Sequence, residues 1–187
     1  LPKPHPEGLV YHNLVNAAVY IFSSRVLDYI EPGVASDFGK DVLPRLLVAG
    51  QTIKAYHTAE YIKDMGTKDR LPKICADVES GKVSRLNRKN KRPAVFLDRD
   101  GVINVDMDKN PRAVDFKLLP GVAEAVSKIN ASGYLSIVVT NQPMIAKGFV
   151  SREEVEQTNK TMETRLGEER AYLDGIYFCP HHPEKGF

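Results

Sequence analysis

Residues 94–102 (Ala-Val-Phe-Leu-Asp-Arg-Asp-Gly-Val) constrain the fold of this chain more than any other segment. An apolar run ends abruptly in two aspartates one residue apart and a glycine, which is the pattern of a buried strand in a parallel sheet. Aspartate is a poor strand residue, so Asp98 and Asp100 need a reason to stand at the exit of this strand. In open α/β sheets, ligands bind at the carboxyl ends of the strands. Two carboxylates at such a place can hold Mg²⁺, and one can attack a phosphorus atom to form an aspartyl-phosphate.

The composition is that of an ordinary globular chain, with 187 residues, 42% hydrophobic residues and a formal charge of +2. This charge gives no electrostatic reason to expect nucleic acid or a membrane as partner, and no apolar run reaches membrane-spanning length. Cys75 and Cys179 make no disulfide framework, so we expect a reducing, cytoplasmic location. The first residues lack an initiator methionine, which predicts that the chain starts inside a longer protein. The sequence does not predict the oligomeric state.

A basic segment poor in large apolar residues divides the chain. Six of the residues in 79–93 are basic, but no aromatic residues are interleaved with them as a nucleic-acid patch would require. We therefore predict a solvated linker over 81–93, between a first part at 1–80 and a second part at 94–187.

The two parts differ in their predicted elements. In the first part we predict strands over 16–22, 52–57 and 60–62, and helices over 24–30, 41–49 and from Thr67 toward Ser80. In the second part we predict a helix over 120–132, a strand over 134–139, a capped helix from Ser151 toward Arg170 and a strand over 175–178. Strands that alternate with helices in this way predict a parallel α/β sheet.

A calcium loop is the first alternative for the two aspartates, and the spacing argues against it. Such a loop needs glycine at position six and glutamate at position twelve. Counted from Asp98, these positions hold Ile103 and Lys109; counted from Asn104, they hold Lys109 and Asp115. A purely structural turn, in which the aspartates cap loop amides, stays open as a second alternative.

Thr140 leaves the second apolar strand of this half, where its hydroxyl and nearby amides can bind phosphate oxygens. Together with Asp-x-Asp-Gly at the end of an earlier strand, it resembles the first two motifs of the haloacid dehalogenase superfamily of phosphatases. Residues 96–106 and 138–150, which include Thr140-Asn141-Gln142, resemble the subgroup of heptose bisphosphate and histidinol-phosphate phosphatases. The resemblance covers residues from Pro93 to the end of the chain.

This resemblance implies an α/β fold, an incomplete parallel three-layer Rossmann-like phosphatase domain. It implies that Asp98 is the nucleophile, that Asp100 is the acid and base, and that both contribute to a Mg²⁺ site. The residues implied in substrate or phosphate binding are Asp106, Thr140, Asn141 and Gln142. The loop 106–110 departs from the usual sequence of the subgroup, as does Pro143-Met144, which stands where Ser-Gly is usual. The family's lysine and late metal-binding aspartate would lie beyond Phe187, so the fragment alone is expected to be inactive.

Cys179 and His181 match, by the same resemblance, two ligands of a structural zinc ion. Two later cysteines complete the site in the subgroup, and they would also lie beyond Phe187. Because a structural zinc site has four ligands, this chain is expected to hold at most half of one.

The first part shows a separate resemblance, to the C-terminal part of a sugar-1-phosphate nucleotidyltransferase, an α/β domain. Residues 16–22, 37–44 and 61–67 carry it. The resemblance implies that Asn16 faces the sugar and that Asp64 holds a catalytic metal. The glycine-rich nucleotide loop of that family would precede Leu1.

The sequence therefore predicts a fusion of a sugar nucleotidyltransferase with a phosphatase that acts on small sugar phosphates. The order of the two enzymes favours removal of the 7-phosphate of D-glycero-D-manno-heptose 1,7-bisphosphate, because the product is a sugar 1-phosphate that such a transferase would take. Histidinol phosphate is the alternative substrate, and a non-catalytic interaction fragment is the alternative of a different class.

Overall fold

The computed structural model describes residues 9–106 and 112–185. The loop 106–110 departs from the subgroup pattern in sequence. Beyond Asp106, it lies outside the described residues. None of the helices in the described ranges is both long and apolar enough to cross a membrane.

A three-stranded parallel sheet organises the second half of the chain. Its strands are β1 (Ala94–Leu97), β2 (Leu135–Asn141) and β3 (Gly175–Cys179), and they lie in the order β1-β2-β3. Helix α4 (Val122–Ser132) connects β1 to β2, and helix α5 (Arg152–Glu168) connects β2 to β3. The predicted parallel α/β fold is therefore confirmed, with strand and helix bounds within two or three residues of those predicted.

The core lies between one face of this sheet and the two connecting helices. Val138 of β2 is fully buried and clusters with Val126 of α4 and with Met162 and Leu166 of α5. Because consecutive parallel strands are joined by crossovers of the same hand, both helices are expected on the same face. The polar edge at the strand ends is thus fixed to a rigid apolar layer.

The other face of the sheet is open in the described part of the chain. Phe96, Val139 and Tyr177 alternate with the core residues and are 69%, 48% and 63% exposed. Parallel sheets are ordinarily covered on both faces, so an exposed apolar face of this kind is unusual. Two of the three layers implied by the resemblance are described here.

Helix α5 is the most polar element in the core region. The sequence predicts a long polar helix here. Three of its polar residues, Thr158, Thr161 and Thr164, are nevertheless buried. Each hydroxyl donates to the carbonyl oxygen one turn earlier, at 2.8–3.0 Å. Since these hydroxyls find acceptors within their own helix, they can be buried without a large desolvation penalty. The predicted capping box is present, with Ser151 as the N-cap.

The predicted linker is partly helical. Helix α3 (Lys82–Arg85) follows Gly81, and Arg85 reaches the end of α4. A β-carbon placed on Gly133 would lie 3.3 Å from the Cδ and Nε atoms of Arg85. Gly133 ends α4 at a φ of 84°, a left-handed conformation that favours glycine. The segment predicted as a solvated linker therefore contains one short helix, and its role as a linker stays a prediction.

The first part of the chain contains short helices. A 3₁₀ helix occupies Ser24–Tyr29, a π turn at Phe38–Val42 leads into α1 (Leu43–Val48), and a 3₁₀ turn at Lys68–Arg70 leads into α2 (Leu71–Glu79). These elements correspond to the three helices predicted there. Thr67, predicted to cap the last of them, makes no side-chain capping bond.

The three strands predicted in the first part are wrong. Residues 16–22, 52–57 and 60–62 are neither strand nor helix, and Val19 and Ile21 are 80% and 100% exposed. β-branched and aromatic residues made these segments resemble strands, but a strand also requires a neighbour that pairs with its backbone. No such neighbour lies within the described residues.

Candidate active site at the carboxyl edge of the sheet

The carboxyl end of β1 presents the two aspartates differently. Asp98 is exposed directly after the strand, and its Oδ1 accepts a hydrogen bond of 2.7 Å from the backbone N–H of Arg99. Asp100 is turned toward the interior, with 25% of its side chain exposed. The sharp turn after β1 therefore leaves one carboxylate open to solvent and holds the other against the protein.

Arg99 lies between these aspartates and is almost completely buried, at 1% exposure. Its Nη2 donates to Oδ2 of Asp100 at 2.9 Å, and its Nε lies 3.3 Å from both carboxylate oxygens. On its other side, Nη1 donates to Oδ1 of Asn159 in α5 at 3.1 Å. A buried guanidinium is thus paired with a carboxylate and held by a helix.

Two amides complete the shell around Asp100. Asn104 Nδ2 donates to its Oδ1 at 3.0 Å, and Gln142 Nε2 donates to its Oδ2 at 2.7 Å. Burial raises the pKa of Asp100, but the hydrogen bonds from Arg99, Asn104 and Gln142 and the charge of Arg99 outweigh burial, so the pKa lies below its ordinary value. Asp100 is consequently a firmly held carboxylate at neutral pH.

Among the described side chains, only Asn104 has a buried polar atom without a hydrogen-bond partner. The residue is fully buried, and both hydrogens of its amide are used, one on Asp100 and one on the carbonyl oxygen of Val105 at 2.8 Å. Its Oδ1 has no hydrogen-bond partner. The Asn104 amide therefore orients the turn that carries Asp100 through its two N–H groups, while its oxygen is left without a hydrogen bond.

Gln142 joins the ends of the strands. Besides Asp100, its Nε2 donates to Thr140 Oγ1 at 3.2 Å, and its backbone N–H donates to the carbonyl oxygen of Cys179 at 2.7 Å. Thr140 and Gln142 are 4% and 3% exposed, whereas Asn141 between them is exposed. The structure thus connects Asp100, Thr140 and Gln142 in one hydrogen-bonded group, with Asn141 pointing out beside it.

The other predicted residues lie outside this group. Asp106 is exposed, directly before the residues that are not described. In the first part, Asn16 is exposed and its amide exchanges hydrogen bonds with the Tyr20 hydroxyl at 2.8 and 3.1 Å. Asp64 accepts from the Gly66 N–H at 2.8 Å and forms an ion pair with Arg70. Asn16 and Asp64 share no hydrogen-bond partner in the described ranges.

The ends of β1 and β3 carry donor atoms of the kinds that metal ions bind. The Asp98 carboxylate and the Asp100 carbonyl supply hard oxygens of the kind that Mg²⁺ prefers, although two oxygens make only part of a coordination shell. Cys179 is a free, exposed thiol at the end of β3, and His181 is exposed two residues later. Within the described residues, no three His, Cys, Asp or Glu side chains are grouped closely enough to hold a metal ion. The described donors therefore do not form a four-ligand zinc site.

Sequence reasoning missed Arg99, Asn104 and Asn159. The arginine between two aspartates was an available signal, because a buried charge is normally paired with an opposite one. Asn159 gave no signal, because nothing local distinguishes it from the other polar residues of α5. Its role depends on a contact across 60 positions of the chain.

Comparison with known proteins gives separate matches for the two parts of the chain. A family model described as "Nucleotidyl transferase" matches residues 2–81. The D-glycero-beta-D-manno-heptose-1,7-bisphosphate 7-phosphatase of Photorhabdus laumondii is 45% identical over 92 residues, which are 49% of this chain and 49% of that protein. The enzyme of the same name from Vibrio cholerae is 45% identical over 95 residues, 51% of each chain. This chain resembles heptose bisphosphate phosphatases over half its length.

Different parts of the chain therefore resemble two different kinds of enzyme. The chain spans about half the length of the curated phosphatases that it matches. Among solved structures, the D,D-heptose 1,7-bisphosphate phosphatase from B. bronchiseptica, complexed with magnesium and phosphate, is 28% identical and has a TM-score of 0.48. The match covers 51% of this chain and 54% of that one.

Proposed function

We propose that the complete protein containing this chain is a phosphatase that hydrolyses a sugar phosphate monoester through an aspartyl-phosphate on Asp98. The observation that carries the proposal is that one turn at the end of β1 holds an exposed carboxylate, Asp98, and a partly buried one, Asp100, that is paired with Arg99. The hydrogen bond that Asp98 accepts from the Arg99 N–H shapes the turn and leaves the carboxylate exposed. The named relatives support a phosphatase rather than an interaction fragment.

Asp98 is the proposed nucleophile because it is the accessible carboxylate. One of its oxygens attacks phosphorus in line, the bond from phosphorus to the ester oxygen breaks, and the sugar alkoxide leaves. Asp100 is the proposed acid for that alkoxide and the proposed base for the water that then hydrolyses the aspartyl-phosphate. The hydrolysis releases phosphate and regenerates the Asp98 carboxylate.

Mg²⁺ is the proposed cofactor, held in part by Asp98 and Asp100, and when bound it would neutralise charge on the transferring phosphoryl group. Thr140 is buried in the same hydrogen-bonded group and is the proposed phosphate contact, with Asn141 and Gln142 beside it. Asp106 is the proposed substrate residue by the resemblance alone. The assignments of Asp98, Asp100 and residues 140–142 rest on the resemblance together with their positions at the carboxyl ends of β1 and β2.

The proposed substrate is D-glycero-β-D-manno-heptose 1,7-bisphosphate, from which the 7-phosphate is removed. The named relatives support this substrate and the β anomer. The nucleotidyl transferase match at 2–81 supports a fusion, and we propose a transferase-like part at 1–80, a linker at 81–93 and a phosphatase part at 94–187. In the first part, Asn16 and Asp64 are the proposed sugar and metal contacts. The two reactions would be consecutive, since the phosphatase product is a sugar 1-phosphate.

Replacement of Asp98 by asparagine tests the mechanism. Asp98→Asn keeps the size and exposed position of the side chain but removes the nucleophile, so we expect the complete protein to stay folded and lose all measurable turnover. Acid-quenched wild-type protein incubated with ³²P-labelled substrate should carry an acid-stable label that Asp98→Asn lacks. Turnover within tenfold of wild type in a pure Asp98→Asn preparation would remove the assignment.

Comparison of two substrates tests the specificity. The complete protein should show a clearly higher kcat/KM for heptose 1,7-bisphosphate than for histidinol phosphate. The opposite order would favour the alternative substrate and leave the aspartyl-phosphate mechanism in place.

Zinc is proposed only for the complete protein, with Cys179 and His181 as two of four ligands. Metal analysis of the purified protein should find one zinc per chain, and Cys179→Ser should lose it and lower the melting temperature, because structural zinc contributes folding free energy. Full zinc occupancy in Cys179→Ser would exclude Cys179 as a ligand.

A further inference from the structure

We propose that Asn159 is a positioning residue for the proposed reaction, acting through Arg99 on the Asp100 carboxylate. The inference rests on the proposed function, because that function gives Asp100 the two proton transfers. It goes further by naming the residue that sets where this carboxylate points.

The contact between α5 and the β1 turn is direct and buried. Asn159 is 5% exposed, and its Oδ1 accepts a 3.1 Å hydrogen bond from Nη1 of Arg99, which is 1% exposed. The opposite edge of the same guanidinium, formed by Nε and Nη2, faces Asp100. Because a guanidinium is planar and rigid, an acceptor that fixes Nη1 also fixes the directions of the Nε–H and Nη2–H bonds.

A neutral acceptor suits this position better than a charged one. Without any acceptor, Nη1 would be a buried donor with no partner, so the guanidinium would turn to find one. A carboxylate in place of the amide would share the positive charge that Arg99 directs to Asp100. An asparagine oxygen holds the guanidinium and leaves its charge to the proposed acid and base.

The helix can act as a support because its own position is fixed. The Ser151 capping box sets where α5 begins, and Met162, one turn after Asn159, is fully buried in the core. Asn159 therefore ties the turn after β1 to an element that packs against the sheet. The conformation of the turn alone would not hold Arg99, since the arginine side chain has several rotatable bonds.

The test uses the complete protein and a leucine of nearly the same size as the amide. Asn159→Leu should lower kcat for the sugar phosphate about tenfold or more, a fraction of the effect of losing general acid–base catalysis altogether. KM should change by less than about twofold, because Asn159 touches no proposed substrate contact. Asn159→Asp restores an oxygen for Arg99, so its kcat should lie between those of wild type and Asn159→Leu. Equal losses in the two variants, or an unchanged kcat in Asn159→Leu, would overturn the inference.

Thr161→Val is the matched control for stability. Thr161 lies on the same helix, is 6% exposed and donates to the carbonyl oxygen of Gln157, with no contact to Arg99. It should lower the melting temperature to a degree comparable with Asn159→Leu and leave kcat unchanged. A kcat loss in Thr161→Val as large as that in Asn159→Leu would show that loosening α5, not releasing Arg99, causes the effect.

A readout without substrate separates this inference from the proposed function. In ¹⁵N NMR spectra of the wild-type protein, the Nε–H group of Arg99 should exchange slowly with solvent, because it is buried and bonded to Asp100. Asn159→Leu should accelerate that exchange at least about tenfold, and Thr161→Val should not. Unchanged exchange in Asn159→Leu overturns the inference whatever the activity. Slow wild-type exchange that depends on Asn159, in a protein that hydrolyses no sugar phosphate, overturns the proposed function instead.

Discussion

Replacement of Arg99 by methionine should destabilise the protein by an amount that depends strongly on pH. The change removes a buried guanidinium and keeps an unbranched apolar side chain in its place. Asp100 loses its ion-pair partner, and Oδ1 of Asn159 loses its donor. Arg99→Met thereby isolates the energetic role of the charge at the centre of the site.

The magnitude follows from these two losses. An unsatisfied buried acceptor costs about 1–3 kcal/mol. Removing one partner of a fully buried ion pair costs about 3–5 kcal/mol, but Asp100 is 25% exposed and keeps its bonds from Asn104 and Gln142, so its share is smaller. We expect a net loss of about 3 kcal/mol in the free energy of unfolding at neutral pH.

The sign of the pH dependence follows from the direction of the Asp100 pKa. Burial raises this pKa, but the hydrogen bonds and charge of Arg99 and the two amides lower it further, to below its ordinary value. A group with a depressed pKa in the folded state stabilises the protein above its unfolded pKa, about 4 for aspartate, and this contribution is lost as the pH falls through the folded pKa. In Arg99→Met the pKa of Asp100 should rise, so the penalty of the substitution should shrink in acid.

Urea unfolding of wild type and variant at neutral pH and near pH 3 measures this difference directly. Arg112→Met is the control, since Arg112 pairs with Asp115 at 2.9 Å with both side chains more than half exposed, and such pairs contribute little. The reasoning would be refuted if Arg99→Met were no more destabilising than this control. A penalty of the same size at both pH values would refute the part that concerns Asp100.

Three further predictions concern other parts of the molecule. Ser151→Ala removes the hydroxyl that accepts from the Glu154 N–H at 3.1 Å and should cost about 1 kcal/mol in thermal unfolding; no change would show that the capping box is redundant. Glu163→Ala removes the partner of His12, 2.6 Å away, and should make the peptide bonds near His12 more sensitive to limited proteolysis, whereas equal cleavage rates would show that this contact does not hold the segment. Tyr177→Lys places a charge on the open face of the sheet and should reduce self-association of residues 1–187 in light scattering, and an unchanged signal would exclude that face as the cause.

The sequence predicted the second half of the fold well because its signals are local. β1 and β2 are apolar runs with abrupt polar ends, and α4 ends at a glycine in the left-handed conformation. Such features act within one element, so they survive whatever surrounds them. The parallel order then follows from the alternation of strands and helices.

The predicted strands of the first half failed because strand formation is not local. Residues 16–22 have strand-like composition, yet their pairing depends on a neighbouring strand, and the described residues provide none. Propensity measures how well a residue fits a pleated, half-buried surface, and here no such surface is formed. The helices of the same half were predicted correctly, since a helix satisfies its backbone within one segment.

In the candidate site, too, the features that are local in sequence were predicted and those that depend on distant residues were not. Asp98 and Thr140 were predicted from their places after apolar strands and Gln142 from the resemblance, and their roles stay predictions. What the sequence could not reveal is the environment of Asp100, since Gln142 and Asn159 reach the pair of Arg99 and Asp100 from 42 and 60 positions away. Contacts at such separations are set by how α5 packs on the sheet.

The low pKa of Asp100 orders the steps of the proposed reaction. A carboxylate held in its ionised form by a buried guanidinium has the protonation state that the second step requires, but its lowered pKa makes it a weaker base. It is a poor donor in the free protein, yet the first step requires it to protonate the leaving alkoxide. A phosphate monoester beside Asp98 brings a charge of about −1.5 to −2, and nearby negative charge raises the pKa of a carboxyl group. Arg99 opposes that rise, because its charge and its hydrogen bonds favour the ionised form of Asp100. In the proposed reaction Asp100 takes up a proton when the substrate binds, and transfer of that proton to the leaving alkoxide restores the carboxylate that activates water.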